Sequence, residues 1–278
     1  MSERKFTGAS LVHEAAKRDG AIGAFNVILI EHAEAYSIGA NEAKLPTILQ
    51  ISENAVHYHG SLKPIARACQ AISEDSDVPL SVHLDHAEDE ELIREALDLG
   101  FDSIMFDGSK LDYAANVAKS ADLAQLCKKY GASIEVELGE VGGKDGVHAP
   151  GVRTNPDEAK AFVDATGVDL LAVAVGSSHA MTTRDAALDF DLIRSIASTV
   201  SVPLVLHGSS GVADGDIQKA VKAGMRKINI ATHLNHVFTN EVRGALNSDP
   251  KLVDPRKYIK PGRKAVASEI ARLLLLLG

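Results

Sequence analysis

The sequence predicts an α/β protein, a single (β/α)8 TIM barrel with a C-terminal helical extension, which occupies residues 1–278 as one domain. Three observations support this prediction. Eight short apolar runs, rich in β-branched residues, alternate with longer segments of helical periodicity. The runs end in polar residues rather than in hairpin turns. No linker rich in Pro, Gly or Ser divides them into two groups, and this pattern is typical of one closed parallel barrel.

The predicted strands are short apolar stretches that polar residues follow. They cover residues 21–27, 47–52, 79–85, 102–107, 133–138, 169–175, 202–207 and 226–231. A doubly wound open sheet has the same alternation, but it usually carries a Gly-rich dinucleotide fingerprint after its first strand. The first strand here reads Gly23-Ala24-Phe25-Asn26-Val27, which is no such fingerprint, and the barrel is therefore favoured.

The predicted helices lie between the strands. They cover residues 31–43, 89–99, 113–130, 156–166, 188–199 and 214–223. Asn155 and Pro156 form a typical helix start, with an N-cap side chain before a proline in the first turn. Glycines after helical segments predict left-handed C-terminal caps, at Gly100, Gly131, Gly167 and Gly224. Residues 252–278 are predicted to form a turn and a final helix that closes or extends the barrel.

The composition excludes several classes of protein. The 29 Lys and Arg residues against 38 Asp and Glu give a formal charge of −9 without any basic run, so nucleic acid is not expected as a partner. Two cysteines, Cys69 and Cys127, are too few for a disulfide framework and indicate a reducing compartment. The chain begins without an apolar signal region, and its apolar run 273–277 is far shorter than the roughly 20 residues of a membrane span. We therefore expect a cytoplasmic protein with no membrane partner.

Three histidines lie at the ends of three predicted strands. His86 and His179 follow strands three and six, His207 ends strand seven, and the carboxyl ends of all strands meet on one rim of a barrel. A lone histidine is usually a core or loop residue that bonds to backbone. Three at equivalent positions instead favour a zinc ion with a coordination position left for substrate.

Carboxylates accompany these histidines. Asp85 precedes His86 directly and suits proton transfer beside a metal, although it could also serve only to orient a histidine. Glu137 and Asp107 are candidates for alternative metal ligands or for residues that orient the ligands, and a salt bridge on the rim is the other interpretation. His83, on the same strand as Asp85, is a candidate for a supporting role behind a ligand.

A phosphate-binding region is predicted after strands seven and eight, where this barrel recurrently binds phosphate. Strand seven ends in a Gly-Ser loop that contains Gly208 and Ser210, and strand eight ends with Asn229 and Thr232. The glycine-rich segment 139–146, which includes Asp145, is interpreted as a mobile loop over the site.

Four motifs in this order resemble those of the class II, zinc-dependent ketose-bisphosphate aldolases, over nearly the whole chain. They are His83-Leu84-Asp85-His86-Ala87, Glu135-Val136-Glu137-Leu138-Gly139 with Gly142-Gly143, Leu206-His207-Gly208-Ser209-Ser210-Gly211 and Lys227-Ile228-Asn229-Ile230-Ala231-Thr232. The resemblance implies a (β/α)8 barrel, a homodimer or higher homo-oligomer, and a sugar-phosphate substrate. It also implies reversible cleavage of a ketose bisphosphate, most readily fructose 1,6-bisphosphate, to dihydroxyacetone phosphate and an aldehyde through a metal-stabilised enediolate.

The resemblance also implies roles for individual residues. His86, His179 and His207 would bind Zn²⁺, and Asp85 would be the acid/base at the aldol carbon. The dihydroxyacetone phosphate end would contact the residues that resemble the family's binding positions, namely Asn26, Ser52, Gly208, Ser210, Asn229 and Thr232. A monovalent cation, Na⁺ or K⁺, is implied near the phosphate. No lysine nucleophile is then needed, and Lys227 is expected to face the N-terminal side of strand eight.

Three departures from the family pattern concern the substrate. Ala180 replaces the usual glycine after His179, with Arg184 a candidate phosphate helper, and Val27-Ile28-Leu29-Ile30 lacks the family's His-Asn pair. Asp145 stands where glutamate is common. The sequence therefore does not identify the aldehyde, and a tagatose-bisphosphate, deoxy-keto-gluconate-phosphate or other dihydroxyacetone-phosphate aldolase stays open. A zinc hydrolase and a non-catalytic sugar-phosphate binding protein are the alternatives outside this reaction.

Overall fold

The computed structural model describes residues 6–138, 153–177, 184 and 186–278. Its eight strands are all parallel and form a closed barrel in sequence order, with the first strand paired to the eighth. They are β1 (Ile22–Asn26), β2 (Thr47–Ser52), β3 (Leu80–Ala87), β4 (Ser103–Phe106), β5 (Ser133–Leu138), β6 (Leu170–Val173), β7 (Leu204–Leu206) and β8 (Met225–Ile230). The predicted (β/α)8 barrel is confirmed.

Except for the first helix, which precedes β1, the helices follow the strands around the outside of the barrel. They are α1 (Gly8–Ala16), α2 (Ile30–Ala43), α3 (Glu53–His59), α4 (Lys63–Glu74), α5 (Glu90–Leu99), α6 (Tyr113–Tyr130), α7 (Pro156–Thr166), α8 (Phe190–Thr199), α9 (Asp214–Ala223), α10 (Thr232–Ser248) and α11 (Pro255–Leu277). The six predicted helices are all present, and α4 covers the helical stretch 65–72 that the sequence predicts around Cys69, whereas α1, α3 and α10 were not predicted. The helix α10 begins at Thr232, a residue interpreted from the sequence as a strand end.

The predicted helix ends are also confirmed. The Asn155 side chain accepts hydrogen bonds from the backbone N–H groups of Asp157 and Glu158, which caps α7. All four predicted glycine caps have positive φ, for example +68° at Gly131. The C-terminal extension is α11, which packs against α2 and α10 on the outside of the barrel. Within the described part of the chain, no helix combines the length and apolar character that a membrane crossing requires.

The strands are buried on both faces, and the two faces differ in polarity. On β5, Ile134, Val136 and Leu138 join the large apolar cluster that packs under the helices. The alternate residues Glu135 and Glu137 are also completely buried. Because side chains alternate along a strand, they must point toward the barrel axis. The interior of this barrel therefore contains charged groups.

An apolar sector fills the rest of the interior and is closed by α1. Residues from β1, β2, β6 and β7 form a second apolar cluster with Leu11 and Val12 of α1. The Ala9 backbone N–H donates to Ser133 Oγ at the start of β5. The helix α1 therefore covers the N-terminal end of the barrel, which leaves the C-terminal end as its open mouth.

Candidate active site and metal centre

A distortion of β3 brings two adjacent side chains to the mouth of the barrel. The pairing of β3 with β4 shifts register between Leu84 and Ala87, and His86 has a φ of +49°. In a regular strand Asp85 and His86 would point to opposite faces. A bulge re-aims side chains in this way, and a non-glycine residue in the left-handed region is strained. The strand also continues to Ala87, two residues beyond the predicted end.

His86, Glu137 and His207 form a cluster that could hold a metal ion. They come from β3, from β5 and from the residue after β7, and one ligand atom from each lies within 4.8 Å of the others. Glu137 Oε2 is 3.4 Å from His207 Nδ1 and 4.0 Å from His86 Nδ1. Two imidazoles and a carboxylate in a buried pocket are a donor set that fits Zn²⁺. His179, the third predicted ligand, lies outside the described residues.

Carboxylates hold the rings of both clustered histidines. His86 Nδ1 lies 2.8 Å from Asp107 Oδ2, and His207 Nε2 lies 2.9 Å from Glu135 Oε1. Burial lowers the pKa of His207, but hydrogen bonds and charge from Glu135 and Glu137 raise it to about 9 on balance. Carboxylate partners of this kind orient metal-binding histidines and strengthen them as ligands. The predicted orienting role of Asp107 agrees with this contact.

One oxygen of the Asp85 carboxylate is held by a hydrogen bond, and the other is buried without one in the part of the chain that the structure describes. Its Oδ2 accepts a hydrogen bond of 2.8 Å from Asn26 Nδ2, whereas Oδ1 is buried without a partner among the described residues. Burial raises the pKa of the Asp85 carboxyl, but electrostatic interactions with the neighbouring histidines and with Lys227 outweigh it and lower the pKa. The group is therefore a carboxylate whose second oxygen can accept a proton.

Gln50 is a site residue that the sequence analysis did not identify. Its Nε2 donates a hydrogen bond of 2.7 Å to Asn26 Oδ1, which fixes the amide of Asn26 with its NH₂ group toward Asp85. An amide between two aliphatic residues of a predicted buried strand was the available signal. Ser52, which was predicted, pairs with Asp85 in the β2–β3 register, and its side chain caps α3.

Replacing Gln50 by leucine is expected to lower kcat about tenfold, because Asn26 could then rotate away from Asp85. Bound metal should be unchanged, since Gln50 touches none of the clustered ligands. Steady-state kinetics and metal content measure both effects. Gln70→Leu is the matched control, because Gln70 donates to the Leu99 carbonyl outside the barrel. Parental kcat in Gln50→Leu would show that this hydrogen-bond chain does not orient Asp85.

The loops after β7 and β8 form a pocket of small polar groups. Ser210 Oγ accepts from the backbone N–H groups of Ala231 and His233, and Gly208 turns the chain with a φ of +66°. The Asn229 side chain is buried, and neither of its polar atoms has a partner among the described residues. Thr232 begins α10, so the positive end of that helix also faces this region. The four predicted phosphate residues are thus brought together.

Other predicted residues lie elsewhere. The Arg184 guanidinium donates to the Val212 carbonyl and lies 2.6 Å from Asp214 Oδ1, so a contact with phosphate would require this pair to open. Asp145 and Ala180, like His179, lie outside the described residues. Lys227, which was expected to face the N-terminal side of β8, is completely buried inside the barrel, with Nζ 2.7 Å from Glu135 Oε2. Strand alternation places it on the same interior face as Asn229.

The arrangement has close relatives among known proteins. A family model for class II fructose-bisphosphate aldolase matches residues 7–278. The chain is 37% identical over 264 residues to the fructose-bisphosphate aldolase of Geobacillus stearothermophilus, which covers 94% of this chain and 92% of that protein. It is 36% identical over 260 residues to that of Staphylococcus aureus strain Mu50, with 92% and 91% covered. This chain belongs to the class II fructose-bisphosphate aldolase family.

A solved structure agrees with this membership. The crystal structure of the YdjI aldolase from Escherichia coli K12 superimposes with a TM-score of 0.85 at 30% identity, covering 97% of this chain and 96% of that one. The protein is therefore an aldolase, a carbon–carbon lyase of carbohydrate metabolism. Class II membership implies a metal cofactor and a sugar-phosphate substrate, which fit the clustered ligands and the small polar pocket beside them.

Proposed function

We propose that this aldolase reversibly cleaves fructose 1,6-bisphosphate to dihydroxyacetone phosphate and glyceraldehyde 3-phosphate, with zinc as its metal. The convergence of Asp85, His86, Glu137 and His207 at the mouth of the barrel carries the proposal. The names of the relatives at 36–37% identity support the choice of substrate. Tagatose 1,6-bisphosphate or another ketose with the same dihydroxyacetone phosphate half is the main alternative.

The metal site that we propose consists of His86, His179 and His207, with Glu137 as a ligand for an alternative metal position. Nitrogen donors favour zinc over magnesium or calcium. Asp107 and Glu135 hold the rings of His86 and His207, so the histidines need little rearrangement on binding. When bound, the metal supplies Lewis-acid stabilisation of the negative charge that develops on the substrate oxygens.

Asp85 moves the proton at the carbon that becomes C3 of dihydroxyacetone phosphate. Its Oδ2 is held by Asn26, and its buried Oδ1 has no partner among the described residues. The lowered pKa keeps the group ionised near neutral pH, so it can take the proton during condensation. In the cleavage direction the Asp85 carboxylate takes the proton of the C4 hydroxyl as the C3–C4 bond breaks, and it then gives this proton to C3.

We assign the phosphate of the dihydroxyacetone phosphate half to the pocket after β7 and β8. Gly208 and Ser210 would present backbone and hydroxyl groups, Asn229 its buried amide, and Thr232 the start of α10. Asn26 and Ser52 would contact the sugar beside Asp85. A monovalent cation, Na⁺ or K⁺, near this phosphate is part of the same proposal.

A cleavage assay tests the proposal. The purified protein should release dihydroxyacetone phosphate and glyceraldehyde 3-phosphate in equal amounts from fructose 1,6-bisphosphate. Coupling dehydrogenases measure each product. A chelator should abolish the activity, and added zinc should restore it. Faster turnover of tagatose 1,6-bisphosphate would reassign the substrate. Release of inorganic phosphate without carbon–carbon cleavage would contradict the aldolase assignment and favour a hydrolase.

We also propose that residues 1–278 act as one catalytic domain, in a homodimer or higher homo-oligomer in the cytoplasm. The barrel closes with all eight strands in sequence order, which supports one domain. Cys69 and Cys127 are free and buried, which suits a reducing compartment, and burial raises the pKa of each thiol to about 12. The resemblance to the family supports the oligomer, which light scattering on the purified protein tests.

A further inference from the structure

A buried ion pair crosses the interior of the barrel beneath the metal cluster. Lys227 on β8 and Glu135 on β5 are both completely buried, and Lys227 Nζ lies 2.7 Å from Glu135 Oε2. Since β5 and β8 are not neighbours, this contact spans the barrel interior. A buried ion pair is weak as a source of stability, because desolvation opposes the attraction between the charges. Stability alone therefore does not explain this ion pair.

The second oxygen of Glu135 points to that role. Glu135 Oε1 lies 2.9 Å from His207 Nε2. An ionised carboxylate only accepts hydrogen bonds, so Nε2 must carry the proton. The ring therefore presents Nδ1, its other nitrogen, to Glu137, 3.4 Å away in the metal cluster. The orientation of His207 thus depends on where Glu135 is held.

We propose that Lys227 is a positioning residue that, through Glu135, fixes the ring orientation of His207, with Nε2 toward Glu135 and Nδ1 toward the metal cluster. The inference rests on the proposed metal-binding role of His207. The carboxyl group of Glu135 could rotate about its side-chain bonds, and the bond from Lys227 to Oε2 holds Oε1 toward the ring. The structure thereby gives this lysine a role other than that of a nucleophile, since its ammonium group is held by a carboxylate.

Two variants of the pair test the inference by zinc affinity in competition with a chromogenic chelator. Lys227→Met keeps most of the side-chain volume but leaves Glu135 without its cation, and zinc affinity is expected to fall about 10- to 100-fold. The double variant Lys227→Met/Glu135→Gln removes both charges and keeps an amide oxygen that can accept from His207. It should recover most of the lost affinity, which a simple packing role for Lys227 would not produce.

A second readout does not depend on metal. The hydrogen-bonded Nε2 proton of His207 should give a downfield proton NMR signal, assigned by its loss in His207→Asn. This signal should shift or vanish in Lys227→Met and return in the double variant. A third readout does require metal. The absorption spectrum of the cobalt-substituted protein should differ from the parental spectrum in Lys227→Met and return toward it in the double variant. Ile193→Ala, which creates a cavity under α8, is the control for a loss of stability alone. This variant should keep both the ring-proton signal and the parental zinc affinity.

Defined results would overturn the inference. Parental zinc affinity and an unchanged ring proton in Lys227→Met would show that Lys227 does not position His207, even if the variant unfolds more easily. If Lys227→Met fails to fold, Glu135→Asp decides, because it keeps the charge but shortens the reach to His207. Parental zinc affinity in Glu135→Asp would then reject the inference. Absence of zinc binding in the parent protein would contradict the proposed function instead, and the ring proton would still judge the positioning role.

Discussion

Asp85→Asn is expected to lower kcat about 1000-fold while the protein keeps its metal, because the general base is lost and the ligands stay in place. Asparagine has nearly the same shape and can still accept the hydrogen bond from Asn26 Nδ2. The amide, however, cannot accept the proton that the carboxylate takes. Steady-state kinetics measures the loss, and metal analysis of the same sample shows that the site is intact.

The control for Asp85→Asn is Asp107→Asn, which changes the other aspartate near His86. Asp107 contacts the His86 ring, so this variant should mainly weaken metal binding. Excess zinc should then rescue much of the activity of Asp107→Asn and none of that of Asp85→Asn. Turnover of Asp85→Asn within tenfold of the parent would exclude Asp85 as the acid/base.

His207→Ala is expected to weaken zinc binding at least 100-fold and to remove activity at ordinary zinc concentrations. The variant loses a ring nitrogen that lies 3.4 Å from Glu137 Oε2 and leaves a cavity in the barrel interior. Chelator competition measures the affinity, and the aldol cleavage assay measures the activity. The protein should still fold, because the apolar clusters under the helices do not include this residue.

The matched control for His207→Ala is His57→Ala on α3. The side chain of His57 is 70% exposed and lies outside the metal cluster, so zinc content and kcat should stay at the parental values. Stoichiometric, tight zinc binding by His207→Ala would show that the metal is held elsewhere. Equal losses in both histidine variants would indicate a general loss of folding rather than the loss of a ligand.

The fold was predictable because each barrel strand carries its own signal. Parallel strands that are buried on the outer face read as short apolar runs, and the glycine and asparagine caps mark the ends of the helices. The helix α10 was missed because only Ala231 separates it from β8, so Thr232 was interpreted as a strand end although it begins the helix. Periodicity does not separate two elements that lie so close together in sequence.

The site was predictable where a rare residue type stands at a strand end, as His86, His207 and Asp85 do. The bulge that turns Asp85 and His86 to the same side depends on pairing with β4, which no local pattern encodes. The contact of Lys227 was not predicted because its partner Glu135 is 92 residues away in sequence. Contacts across the barrel are long-range, so only the closed fold shows that Lys227 supports the site.

Exchange of the C3 proton of dihydroxyacetone phosphate in heavy water tests the central claim most directly, because it needs no knowledge of the aldehyde. Proton NMR should show stereospecific loss of one C3 proton with the zinc-loaded protein. A chelator should stop the exchange, and Asp85→Asn should lack it while retaining zinc. A folded, zinc-loaded parent protein that exchanges no proton, or an Asp85→Asn variant that exchanges at the parental rate, would contradict the proposed chemistry.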